Sequence, residues 1–138
     1  MQKLVDIPGP QTMIVAVPGQ ATAATPDEFV LGVMPSNAVI TAVTYAPKTL
    51  LTGAATNFCS VTCRNRTGAG AGAVNIAQVD YSSGAVTAAA FVANPITLNA
   101  TLANRNVALG DVLTCEKLVT GTGLAMPAGT VTVTYQVR

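Results

Sequence analysis

In the last nine residues of the chain, Thr130, Thr132, Thr134, Gln136 and Arg138 alternate with Val131, Val133, Tyr135 and Val137. A period of two puts successive side chains on opposite faces, so this segment can be only a strand with one face in a core and one face towards water. Val131, Val133, Tyr135 and Val137 are the expected core face. Upstream, Gly110-Asp111 is a turn signal ahead of Val112 to Val119, and Gly121, Gly123, Pro127 and Gly129 reverse the chain into the final strand. Asp111 suits a turn in which its carboxylate accepts a backbone N–H.

The same grammar repeats towards the N-terminus. Glu28 to Met34, Ala38 to Ala46, Asn57 to Arg66, Val74 to Asp80 and Ile96 to Leu102 have strand composition and are separated by Pro, Gly, Ser and Asn turns. Val86 to Ala93 is rich in Ala and reads as a short helix or an extended crossover ending at Pro95. About eight short strands with almost no helix predict one antiparallel β-sandwich domain, jelly-roll or immunoglobulin-like, over residues 28 to 138. Residues 1 to 27 hold Pro8, Pro10, Pro18 and Pro26 around a single β-like run, Thr12 to Val17. They read as an extended N-terminal arm that lies on another surface or adds a strand to a neighbour's sheet, with Pro8, Pro10 and Val15 as candidate contacts. The alternative is an edge strand of the domain's own sheet.

Composition narrows the partners. Charged residues make up 9% of the chain, against roughly 25% in an ordinary soluble domain, and the net charge is +1. A surface of Thr, Ser, Asn and Ala lacks the charge that keeps free monomers apart, which implies that neighbouring subunits cover much of it. Seven scattered basic residues make no patch for nucleic acid. No apolar run reaches the about 18 residues of a membrane span. The start, MQKLVDIPGPQ, lacks the apolar core of a signal peptide, so synthesis in a cytoplasm is expected.

Reactive chemistry is sparse. The chain has no histidine, which removes Ser-His-Asp and Cys-His arrangements and the commonest zinc ligand. Cys59, Cys63 and Cys115 lack the C-x-x-C spacing of structural zinc sites. Cys59 and Cys63 share a strand face about 13 Å apart, too far to bridge, so three buried thiols are expected, with no metal, cofactor or catalytic residue. Asp27 and Glu28 are adjacent and point apart on an extended chain, which rules out a general acid and base from that pair. TGAGAGA at Thr67 to Ala73 lacks the Lys-Ser or Lys-Thr of a phosphate loop and reads as a hairpin connection. Arg64 and Arg66 share a face at a strand end beside these glycines. They are a candidate contact for an acidic patch on a partner, or else two solvated charges guarding the strand end.

ITAVTYAPKTLLTGAATNFCSVTCRNRTGAGAGA followed by VALGDVLTCEKLVTGTGLAMPAGTVTVTYQVR resembles the head decoration, or capsid accessory, proteins of tailed bacteriophages. The likeness spans residues 38 to 138 and rests on a strand ending in proline, a TGA-TN loop, a GDVL turn and a GTGLA-P-GTV loop. It implies a β-sandwich on the outer face of a capsid, bound to the major capsid protein, often as a trimer where capsomers meet. Other readings are a tail or fibre component, and a carbohydrate-binding module, although such modules usually expose aromatic platforms and this chain has no Trp.

Overall fold

The computed structural model describes residues 9–138. In chain order the strands are β1 (Gln11–Val17), β2 (Asp27–Val33), β3 (Ala38–Pro47), β4 (Leu51–Thr52), β5 (Phe58–Asn65), β6 (Val74–Asp80), β7 (Thr87–Ala88), β8 (Asn94–Pro95), β9 (Thr97–Leu98), β10 (Asn106–Val107), β11 (Val112–Thr120) and β12 (Gly129–Val137). One 3-10 turn, Leu102–Arg105, lies between β9 and β10. The protein is all-β, and among the described residues every strand pair is antiparallel.

The strands form two five-stranded sheets. The first runs β1-β12-β3-β10, with β8 also on β3; the second runs β2-β11-β5-β6-β9; β4 and β7 make a small separate pair. Buried side chains from both sheets belong to one hydrophobic cluster, in which Ile40, Tyr45 and Val133 of the first meet Val61, Cys63 and Leu113 of the second. In β12 the expected alternation holds: Val131, Val133 and Tyr135 are buried, Val137 packs against the core, and Gln136 is exposed. Cys59, Val61 and Cys63 face inward as expected. Ser60 and Thr62 on the other face are buried too, because β5 lies between β11 and β6 and is flanked by their longer side chains, Glu116 and Gln78 opposite Thr62.

Two segments depart from the simplest reading. Within 1 to 27, Gln11–Val17 pairs along its whole length with β12, in register from Gln11 opposite Tyr135 to Val17 opposite Gly129. This described part of the segment is therefore an edge strand of the domain's own sheet. Val86 to Ala93 forms no helix: Thr87–Ala88 is a short strand and residues 90–92 turn, so only part of it is the extended crossover. The Asn94 side chain accepts from Ala89 N–H and donates to the carbonyls of Ala89, Val92 and Tyr45. It thereby gives the backbone partners that a helix would otherwise supply. Pro95 also biases Asn94 away from helical geometry.

The turn at Asp111 is built as expected. Asp111 Oδ2 accepts from Ala108 N–H at 2.8 Å and from Asn65 Nδ2 at 2.7 Å, while Asn65 Oδ1 accepts from Thr67 N–H at 2.7 Å. The buried carboxylate thus joins the end of β5 to the start of β11.

Candidate functional site

Charge divides between the sheets. The strands of the first sheet contain no Asp, Glu, Lys or Arg, whereas the second holds Asp27, Glu28, Arg64, Asp80, Glu116 and Lys117. On the outward face of the first sheet, β1, β12 and β3 set side chains in three rows: Thr12, Thr134 and Ala42; Ile14, Thr132 and Thr44; Ala16, Thr130 and Ala46. All nine are small or β-branched, so the face is flat, uncharged and lightly polar. Such a surface suits close contact with another protein, since no charge must be desolvated or paired when it is covered.

Phe91 stands at one end of this face, beside Ala46, Lys48 and Thr130. It is 81% exposed, and its φ of 58° lies in the left-handed region, which a bulky side chain rarely adopts. The strain is held by Phe91 N–H donating to Pro47 O at 2.8 Å and by the four Asn94 bonds. An exposed aromatic held in a strained backbone conformation makes Phe91 a candidate contact residue. Val92 beside it is also exposed. Sequence reading missed Phe91; the available signal was an aromatic shortly before Asn-Pro in a segment otherwise made of small residues.

Arg64 and Arg66 come together on the opposite sheet, each with a carboxylate of the same chain. Arg66 donates from Nε and Nη2 to the two oxygens of Glu28, both at 2.6 Å, and Arg64 Nε donates to Glu116 Oε2. Their remaining nitrogens reach the carbonyls of the glycine hairpin, Arg64 to Ala73 at 3.2 Å and Arg66 to Gly72 at 3.1 Å. The hydrogen bond from Arg66 holds the Glu28 carboxyl below its ordinary range against the opposing effect of burial, and Thr114 Oγ1 adds a bond to the same carboxylate. The arginines therefore fasten the hairpin to the sheet within a locally neutral cluster. Among the other expected contacts, Pro8 lies outside the described residues and Pro10 is exposed just before β1. Val15 packs against the core opposite Val131, and the outward residue of that strand is Ile14.

The three thiols are free and buried, with Cys63 directly opposite Cys115 across β5 and β11. Burial pushes Cys59 up to about 11, Cys115 to about 12, and Cys63 higher still. Lys117 is a further buried group that sequence reading missed, although it shares strand parity with Leu113 and Cys115. Its Nζ donates to Ala23 O at 2.9 Å, and desolvation lowers its pKa. Among the described residues no three His, Cys, Asp or Glu side chains are grouped to hold a metal ion, and no helix is long and apolar enough to cross a membrane. Comparison with family models, with curated proteins and with solved structures finds no match to this chain.

Proposed function

We propose that this chain is a non-enzymatic structural protein of a phage particle, a β-sandwich that binds the outer face of the capsid and holds its subunits together. The observation that carries the reading is the division of charge: among the described residues, every charged strand residue lies on the second sheet, leaving the first free to be covered by a shell protein. The resemblance over residues 38 to 138 supplies the identity of that shell, with the major capsid protein as partner. The mechanism is linkage. A protein that binds only the assembled shell stabilises it by mass action, and many symmetric copies multiply the effect. The carbohydrate-binding alternative is weakened by the aromatics, of which Phe91 alone is exposed.

The test is co-sedimentation of the chain with capsids that lack it, beside Thr132→Arg and Ala42→Glu variants shown by circular dichroism to be folded. Both substitutions put a charge onto the uncharged face, Thr132 at its centre and Ala42 on its β3 side, and should abolish retention. Full retention of the folded variants would exclude that face as the interface. No binding by the parent chain to any capsid would overturn the decoration reading and favour a tail or fibre component.

A further inference from the structure

The two sheets have four lateral edges, and three of them carry devices that prevent strand addition. In the first sheet, the side of β3 away from β12 ends in β8 and β10, each two residues long, and β8 contains Pro95. The second sheet ends at β9, also two residues long. Its other edge, β2, carries Asp27 and Glu28 and is bulged against β11, where the register shifts between Leu113 and Thr114. Short edges, charges and bulges are the usual means of blunting a sheet edge. β1 has none of them. It is seven residues long, QTMIVAV, with no charge, no proline and no register shift along its pairing with β12. Among the described residues no strand pairs with its other side.

We propose that β1 pairs with β1 of a second copy of this chain, antiparallel about a two-fold axis, so that the first sheets of two subunits become one continuous sheet. The occupant follows from the edges themselves: among the described residues β1 is the one undefended edge, so the edge that an identical chain offers to it is β1 again. Ile14 is the middle residue of Gln11–Val17 and is 68% exposed. A two-fold axis there sets Ile14 against Ile14 of the second copy, Thr12 against its Ala16, and Met13 against its Val15. Each match keeps outward residues with outward and inward with inward, as continuous pleating requires. No like charges meet. Every copy offers the same edge, which is the condition for an isologous dimer. Met13 packs over Gly32 of β2, so the two sheet edges line the same side of the molecule. The exposed Val30 and Val33 of β2 would then flank the paired strands. The pairing concerns the free chain and stands apart from the shell reading; it favours a dimer over the trimer that the resemblance implies.

The experiment measures mass by sedimentation and cross-linking by non-reducing electrophoresis on the full chain. The parent should sediment as a dimer at high micromolar concentration, and Ile14→Lys, which changes a solvent-exposed side chain, should be monomeric with an unchanged circular dichroism spectrum. Ile14→Cys should form a covalent dimer on mild oxidation, because the two introduced thiols face each other at the axis. Thr12→Cys should not, since its copies would be about 13 Å apart along the strands. A parent chain that is monomeric or trimeric, a dimeric Ile14→Lys, or cross-linking at position 12 in preference to 14 would overturn the pairing.

Discussion

The buried thiols make stability depend on alkaline pH by an amount that can be worked out. An ordinary thiol loses its proton near 9.0, whereas burial holds Cys59 to about 11, Cys115 to about 12 and Cys63 beyond that. A folded-state value raised above the unfolded one means that the native state keeps a proton which the unfolded chain releases. The contribution is intact below pH 9 and is lost as pH rises. One pKa unit corresponds to about 1.4 kcal/mol, so each thiol should reduce stability by about that amount on going from pH 8 to pH 10. The total approaches 4 kcal/mol, a large fraction of the 5 to 15 kcal/mol typical of a domain. Burial of Tyr81 and Tyr45 acts in the same direction. Lys117 acts against it, since its pKa is lowered by desolvation and the unfolded chain therefore binds more protons. Cys63 and Cys115 can be separated from these groups by a Cys63→Ala, Cys115→Ala double variant. Urea melts with reductant should show the parent losing about 3 kcal/mol more than the double variant between pH 8 and pH 10. Equal losses would mean that the paired thiols do not hold their protons in the fold, and the reasoning from burial would fail.

Val133→Asp forfeits about 1.5 to 3 kcal/mol of apolar burial and places an unpaired carboxylate between Val43 and Met13; the circular dichroism of a folded β protein should be lost at 25 °C. Asn94→Ala removes the clamp under Phe91 and leaves Ala89 N–H and Tyr45 O without that side chain. A loss of about 1 to 3 kcal/mol in thermal or urea unfolding is expected, with faster amide exchange at residues 89 to 92. Glu28→Gln should flatten the acid limb of the stability curve. The contribution of the carboxylate is complete above 4.5, the ordinary value, and declines as pH falls towards its lowered native value.

Local pattern carried much of this fold. The alternation of β12 and the Gly110-Asp111 turn depend on neighbours in sequence, and both are present as read. The run Thr12 to Val17 was legible as a strand, but its partner, β12, lies more than a hundred residues away. Nothing local distinguishes pairing within the chain from pairing with a neighbour. The ion pairs were hidden for a related reason: Glu116 opposes Thr62 and sits diagonally from Arg64 only in the actual register of β11 on β5. Phe91 was obscured by alanine content that favours helix, because the competing term is one asparagine side chain bonding backbone groups up to 49 residues away.

The charge-free first sheet has a consequence for any contact it makes. With no charged side chain in the strands of that sheet, a partner that covers it forms no ion pair there for added salt to screen. Attachment through Thr, Ala, Ile14 and Phe91 should survive molar sodium chloride and tighten in sulfate, which is excluded from protein surfaces. It should loosen on cooling, as contacts driven by the release of water do. Chilling in dilute buffer, rather than high salt, should then release a partner held on this face.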